Sequence, residues 1–429
     1  MPSEHTPILE TDAPRPEAGR QKEQVSTLTL LGLSYRTSDI SYRERVYFAL
    51  DSLKRKVNDE SIVDEFLSLV TCSRIELYFV AKNPQKAVDF ILSSLPDARS
   101  GNRFYIKKDL DTIKHIYSVA AGLDSIAVGE RQILLQVKTA SRLARINNTS
   151  RSILSSVFDS AISTAIKLRE KYRIDDSVHD VSLSSIGVKF LMNRLGAKPH
   201  AVLLLGNGKM ARLALRELED TSIFVATSIP RHVNSAPHVK YIGYDNIKEV
   251  INSCDVVISA TKKNDFVIKS GDISRNKKIL ILDLGFPRNV DPKLSECDAI
   301  ELYNVDDLSE YVPNYNIDSV SMYQDLENEA RKFYIWLYTT KLSRIITELF
   351  RWAEKIRAKE VSIAKKKMGS LTAKQSETID LLSSSIMKKF LYHVIQFAKD
   401  SDSYLSTDQR LRLISTIFNL EGENYHERD

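Results

Sequence analysis

Val202-Leu-Leu-Leu-Gly206-Asn207-Gly208-Lys209-Met210-Ala211 reads as a short apolar strand running into a glycine-rich turn that opens a helix carrying Leu213, Leu215 and Leu218. The spacing is the G-x-G-x-x-A form of a dinucleotide fingerprint. Gly206 permits the tight turn, Gly208 lets the backbone approach a pyrophosphate, and Ala211 keeps helix and strand close. The first turn of the helix offers unpaired N–H groups to the phosphate.

The surrounding chain supplies the context that this fingerprint needs. Apolar runs at Val202–Leu205, Ile223–Ala226, Val256–Ser259 and Ile279–Leu282 alternate with helical patterns, which predicts a parallel, doubly wound sheet. A helix from about Ser182 to Arg194 leads in, with Leu183, Ile186, Phe190 and Leu191 on one face. Where an acid would bond a ribose 2′-hydroxyl, the second strand ends in Ala226-Thr227-Ser228-Ile-Pro-Arg231. No carboxylate there repels a 2′-phosphate, so NADPH is expected over NADH, with Thr227, Ser228 and Arg231 as ligands. Arg231 reads equally well as a solvated loop residue.

At 429 residues the chain is too long for one core, and two or three domains are expected. Hydrophobic residues at 43% and charged residues at 27% are ordinary globular values, and no apolar run is long enough to span a bilayer. A net charge of +5 weakly favours an anionic partner. The three cysteines, Cys72, Cys254 and Cys297, form no C-x-x-C pair and no zinc spacing, which fits a reducing, cytoplasmic setting and predicts no metal site. Residues 1–26 contain Pro and Glu without an apolar core and are expected to be a disordered tail. Residues 27–175 mix strands and helices in an α+β pattern. After Asp306-Asp307 the chain turns helical: Leu326, Ala330, Phe333, Trp336 and Leu337, then Ile345, Leu349, Trp352 and Ile356, recur at helical spacing. Such a stripe needs covering, in part by a second helix at Ile379–Ile395 and in part by a second subunit.

In Thr71-Cys72-Ser73-Arg74-Ile-Glu-Leu-Tyr-Phe-Val80, Ile75, Leu77 and Phe79 alternate as an apolar face, leaving Cys72, Arg74, Glu76 and Tyr78 on the other. A guanidinium two residues from a thiol is expected to favour the thiolate, the nucleophilic form. The competing reading is an inert packed cysteine, which holds for Cys254 and Cys297. His115 projects away from the stripe Ile113, Ile116, Tyr117 and Ala120, so it faces solvent or lines a cleft. Beyond Gly129, a helix with Ile133, Val137, Ala140 and Ala144 on its stripe carries Gln132 and Gln136 on another face, with Glu130 at its start. Capping and solvation would also explain these polar residues.

Taken together, the chain from about Leu28 to Phe397 resembles glutamyl-tRNA reductase, the enzyme that opens the five-carbon route to tetrapyrroles. The resemblance rests on Gly32-Leu-Ser-Tyr-Arg-Thr37 with Arg43-Glu44-Arg45, on Thr71–Tyr78, and on Ala121-Gly-Leu-Asp-Ser125 through Gly129-Glu-Arg-Gln-Ile133. Beyond the glycine turn it continues in Ile281–Pro292, Val305-Asp-Asp-Leu308 and Trp352-Ala-Glu-Lys-Ile356. The family usually has His at Tyr35, Asn at Ser73, Pro at Arg131 and Gly at Ala211, and an Asn-Arg-Thr where this chain has Thr227-Ser228-Ile229.

The resemblance implies that Cys72 attacks the ester carbonyl of glutamyl-tRNA, that the resulting thioester is reduced with NADPH, and that glutamate-1-semialdehyde leaves. It places Thr71, Ser73, Arg74, Ser125, Glu130, Arg131, Gln132 and Gln136 around the glutamyl group, with Arg74 suited to a carboxylate and Glu130 to an ammonium. His115 matches the family's histidine important for activity. The implied architecture is α/β multidomain. An α+β catalytic, tRNA-binding domain covers 27–175, a Rossmann-like NADPH domain with ligands Gly206–Ala211, Thr227, Ser228 and Arg231 covers 176–316, and a long helix with an all-α dimerisation domain covers 317–429. A homodimer and a handover of product to glutamate-1-semialdehyde aminomutase are expected. Two alternatives stand beside this reading: a dehydrogenase of the shikimate kind without a covalent intermediate, and a non-catalytic tRNA-binding relative.

Overall fold

The computed structural model describes residues 26–174, 183–208, 218, 221–228, 237–261, 263–274, 278–311, 318–399, 407–418 and 420. The N-terminal tail, Lys209, Met210 and Ala211 of the glycine-rich segment, the helix positions Leu213 and Leu215, and Arg231 lie outside them. Two compact units emerge, Ser26–Thr339 and a second that begins at Thr340.

In the first unit, strands β1 (Thr27–Ser34), β2 (Glu65–Val70), β3 (Arg74–Ala81) and β4 (Tyr105–Lys108) form an antiparallel sheet in the order β2-β3-β1-β4. Both faces of β1 and β3 are covered, which explains why Leu28-Thr-Leu-Leu-Gly-Leu33 carries leucines on both faces rather than alternating with exposed polar residues. On one face Leu31, Leu33, Ile75, Leu77 and Phe79 pack on α1 (Ile40–Asp59) and α2 (Pro84–Ser93). On the other, Leu28, Leu30, Tyr78 and Val80 meet α3 (Asp109–Ala121), α4 (Arg131–Ile146) and α5 (Ser152–Lys171). Asp39 caps α1 by accepting from the Tyr42 N–H at 2.9 Å, and Asn83 caps α2 ahead of Pro84.

Helix α6 (Leu183–Leu195) leads into a second sheet of β5 (Ala201–Leu205), β6 (Ser222–Thr227), β7 (Val239–Gly243), β8 (Val256–Ser259), β9 (Ile279–Asp283) and β10 (Ile300–Asn304). All its pairings are parallel and the order is β10-β9-β8-β5-β6-β7. The strand order reverses between β5 and β8, so the crevice beyond their carboxyl ends is the natural ligand position. The four expected strands occur within one residue of their expected ends; β7 and β10 add one strand at each edge.

Helix α7 (Ser319–Met368) begins in the first unit, where Met322, Leu326, Ala330 and Leu337 join the core built on α3 and α5. Phe333 is half-buried there, and Trp336 is exposed. In the second unit α8 (Ala373–Lys399) and α9 (Thr407–Phe418) follow, with Leu391, Ala398, Leu411 and Ile414 buried and Trp352 edge-on to Phe418. Lys365 pairs with Asp380 at 2.6 Å between α7 and α8. Leu381, Leu382, Ile386 and Phe390 on α8 are exposed in the single chain.

Candidate active site

Cys72 occupies the turn between β2 and β3. The Thr71 N–H donates to the Arg74 carbonyl at 2.9 Å, while the Thr71 hydroxyl accepts from the Ser73 and Arg74 N–H groups at 3.2 and 3.1 Å. The Ser73 carbonyl accepts from the Tyr35 N–H at 2.9 Å. The bonds through Thr71 close the turn, the one from Tyr35 ties it to the end of β1, and together they hold Cys72 at its tip. There it is half-buried and packs against the apolar cluster of the second sheet, which contains Leu183, Ile186, Val202 and Leu308.

The expected charge relation between Arg74 and the thiol is corrected by the structure. Arg74 is buried and turned to acids: its Nη1 lies 2.9 Å from both Glu76 Oε1 and Asp124 Oδ2, and its Nη2 donates to the Asp124 carbonyl. The cation beside Cys72 is Arg43, whose Nη2 donates to the Cys72 carbonyl at 3.4 Å. Burial pushes the Cys72 thiol up, the Glu130 carboxylate pushes it further, and Arg43 offsets only part, leaving it at about 12. The thiol is therefore neutral at pH 7 in the substrate-free chain.

Glu76 is the hub of the buried network. Its Oε1 accepts from Arg74 and, at 2.7 Å, from the Tyr105 hydroxyl, and it lies 2.7 Å from His115 Nε2; its Oε2 accepts from the Tyr78 hydroxyl at 2.6 Å. Gly32 sits between Glu76 and Tyr105 in the register of the three strands, and the missing side chain lets Tyr105 reach across. A Cβ on Gly32 would lie 2.5 Å from the Tyr105 ring. Of the two positions open to His115, the structure selects the inner one, on a buried carboxylate.

Residues Gly122–Gly129 form a loop closed by the Gly129 N–H donating to the Gly122 carbonyl at 3.0 Å. Arg169 from α5 holds both ends, donating to the carbonyls of Ala121 at 3.3 Å and Gly129 at 2.9 Å. The loop carries Asp124 to Arg74 and leads into α4, where buried Glu130 is the N-cap residue without a side-chain capping bond. Capping thus does not account for Glu130. Ser125 Oγ, Gln136 Oε1 and Arg74 Nε are buried without a hydrogen-bond partner among the described residues, which suits groups that meet a polar ligand. Gln132 is half-buried and Arg131 exposed. Glu76, Asp124, Tyr105, Arg43 and Arg169 were not singled out from the sequence as site residues: alternation places Glu76 with Arg74 and Tyr78 on one strand face, but Tyr105, His115, Asp124, Asp306 and Gly129, which complete these contacts, are remote along the chain and no spacing signals them.

At the end of β5, Gly206 has φ +96° and its N–H donates to the Ala226 carbonyl at 2.8 Å. A Cβ there would approach the Ala260 carbonyl oxygen to 3.0 Å, whereas among the described residues nothing lies within 4 Å of one built on Gly208. A left-handed turn at the switch point, with no described side chain over Gly208, fits a dinucleotide phosphate. Asn207 is half-buried; Thr227 ends β6, followed by exposed Ser228, and no carboxylate stands at either position.

A parallel sheet with this turn at its switch point, packed against a cysteine-bearing α+β region, defines a nucleotide-dependent oxidoreductase. Residues 31–172 match the model of the glutamyl-tRNAGlu reductase N-terminal domain, 191–311 that of shikimate/quinate 5-dehydrogenase, and 324–420 that of the glutamyl-tRNAGlu reductase dimerisation domain. A glutamyl-tRNA reductase of Rubrobacter xylanophilus is 30% identical over 417 residues, covering 90% of this chain and 96% of the relative. One of Thermodesulfovibrio yellowstonii is 29% identical over 400 residues, covering 85% and 92%. The solved glutamyl-tRNA reductase of Methanopyrus kandleri shares the fold, with a TM-score of 0.51 at 22% identity, covering 93% of this chain and 100% of that one. The chain belongs to the glutamyl-tRNA reductase family. The dehydrogenase match is confined to the nucleotide-binding region and flanked on both sides by reductase models, so a free-standing shikimate-type dehydrogenase is not favoured. Among the described residues no helix is long and apolar enough to cross a membrane.

Proposed function

We propose that the protein reduces glutamyl-tRNA(Glu) with NADPH to glutamate-1-semialdehyde, releasing tRNA, as the first step of tetrapyrrole synthesis. The observation that carries this reading is the placement of Cys72 at a turn tip against the nucleotide-binding region. Family membership and the dimerisation match support a homodimer, and the exposed apolar side chains of α8 suit that role. The proposed domain limits are 27–175, 176–316 and 317–429. Three cysteines without a disulfide fit a cytoplasmic protein, and the aminomutase that consumes the aldehyde is the proposed partner.

Chemically, the Cys72 sulfur forms a bond to the ester carbonyl carbon, and the C–O bond to the tRNA ribose breaks with a proton going to the leaving hydroxyl. The substrate ammonium pairs with Glu130 and thereby offsets the negative charge that holds the thiol up. Thr71 and Ser73 keep the turn in place, Ser125 and Gln136 supply polar atoms for the glutamyl group, and Arg74 contributes its Nε. His115, oriented by Glu76, handles the proton. Bound NADPH supplies the hydride that reduces the thioester carbonyl. The resulting hemithioacetal then loses the Cys72 sulfur, giving aldehyde and free thiol. Gly206, Asn207, Gly208, Lys209, Met210 and Ala211 hold the pyrophosphate in this proposal, with Thr227, Ser228 and Arg231 at the 2′-phosphate.

The test follows NADPH oxidation with glutamyl-tRNA. Wild type should turn over and Cys72→Ser should not, while free glutamate should support no reaction. Near-normal turnover by Cys72→Ser would remove the covalent mechanism, and activity on free glutamate would remove the proposed substrate.

A further inference from the structure

Three of the sequence words on which the family resemblance rests carry no chemistry in the mechanism above, and the fold brings all three together. They are Arg43-Glu44 on α1, Phe286-Pro-Arg288 after β9, and Val305-Asp306 after β10. Arg43, fully buried, donates to the Ser38 carbonyl at 2.7 Å and to Asp306 Oδ1 at 2.5 Å, besides its bond to the Cys72 carbonyl. Its neighbour Glu44 accepts from the Arg288 N–H at 2.6 Å, from Arg288 Nε at 3.0 Å to each carboxylate oxygen, and from Nη2 at 2.7 Å. Arg288 Nη2 also donates to Ser41 Oγ at 2.9 Å, and one turn along α1 Tyr47 stacks edge-on to Phe286 at 5.5 Å.

The signs are crossed: α1 offers a cation to Asp306 and an anion to Arg288. A shift of α1 that brought Arg43 to Arg288 would set like charges together, so the arrangement fixes register as well as contact. The arm bearing Arg288 is itself braced, since Asp283 accepts from the N–H groups of Gly285, Asn289 and Val290 at 3.0, 2.7 and 2.9 Å. One guanidinium, that of Arg43, bonds both the loop of the nucleophile and the acid of the nucleotide-binding region.

We propose that Arg43 and Glu44 are positioning residues. With Asp306 and Arg288 they form a clasp that docks the nucleotide-binding region on the turn of Cys72, serving reduction of the captured acyl group rather than its capture. The clasp's effect on reduction rests on the proposed reductase activity; docking itself does not.

The test uses the full-length protein with Glu44→Arg, Arg288→Glu and the double variant, in which the pair is reversed. Peptide-resolved alkylation of Cys72 without substrate reports docking. Single-turnover formation of acyl-enzyme without NADPH, and then its reduction with NADPH, report the two steps. Each single variant should raise Cys72 alkylation about tenfold and slow reduction about tenfold, with acylation changed by less than about threefold. The double variant should recover both to within about threefold. Unchanged alkylation in the single variants, an equal loss of acylation and reduction, or no recovery in the double variant would overturn the clasp. If wild type neither acylates nor oxidises NADPH, the reductase reading fails, while the alkylation comparison still decides docking.

Discussion

His115 Nε2 lies 2.7 Å from Glu76 Oε1, and that oxygen also accepts from Arg74 and Tyr105. Burial pushes the Glu76 carboxyl up, but His115 and Arg74, with the Tyr78 hydroxyl, overcome it and hold the group well below the ordinary carboxylate range. An ionised Glu76 is what permits the Arg74 guanidinium in this interior.

Glu76→Gln removes the anion and leaves Arg74 to Asp124 alone. Breaking one partner of a buried pair costs about 3–5 kcal/mol, and the remaining acid places this case near the lower figure, about 3 kcal/mol. A depressed carboxyl contributes stability that is fully present above its unfolded pKa, near about 4.3, and is lost as pH falls toward its folded value. Urea melts should therefore show a large difference between wild type and variant at pH 7 that narrows below about pH 4. Equal stability at pH 7 would show that the network carries no net ionic stabilisation.

The Cys72 thiol at about 12 makes a second prediction, because alkylation tracks the thiolate. Its alkylation rate in the substrate-free protein should climb through pH 10, where an ordinary thiol of pKa about 8.5 has levelled off. Glu130→Gln removes a carboxylate that raises the thiol and should increase the rate at pH 8 by about threefold or more. A plateau near pH 9 in wild type would contradict the burial of the sulfur.

Gly206→Ala should weaken nucleotide binding by about tenfold or more, since a left-handed φ costs a side-chain residue roughly 1–2 kcal/mol and the methyl meets the Ala260 carbonyl. Gly208→Ala adds its carbon where no described residue comes within 4 Å and should leave the melting temperature of the ligand-free protein unchanged. Fluorescence titration with NADPH and thermal melts of both variants separate the two effects. A Gly206→Ala protein with wild-type affinity and melting temperature would show that the turn is not strained against Ala260.

Where a signal is local, the sequence carries it. The buried strands β5, β8 and β9 read as unbroken apolar runs because both faces of a parallel sheet are covered, and Gly206 reads as a turn because few residues tolerate its φ. The edge strand β10, Ile300-Glu-Leu-Tyr-Asn304, is half polar and lacks that run. Alternation places Ile75, Leu77 and Phe79 correctly against α1, but extending it back to Cys72 fails. The bond from Thr71 to Arg74 closes a turn there, so Cys72 no longer shares the pleat of Arg74. Pairs such as Arg43 with Asp306, 263 residues apart, leave no periodic trace at all.

Arg169 supplies the last prediction. Its two forked nitrogens reach the carbonyls at both ends of the 122–129 loop, at Ala121 and Gly129, and so fix the segment that carries Asp124, Ser125 and the start of α4. A lysine keeps the charge but presents one ammonium, which does not reproduce a planar fork across two carbonyls. Arg169→Lys should therefore loosen the loop and displace Ser125 and Glu130 together, while the turn of Cys72, closed by its own bonds, stays in place. The expected signature is a rise of about tenfold in KM for glutamyl-tRNA with kcat lowered less than about threefold, and faster amide exchange confined to the loop. Loss of kcat with unchanged KM would show instead that Arg169 supports the reacting centre rather than the substrate-holding loop.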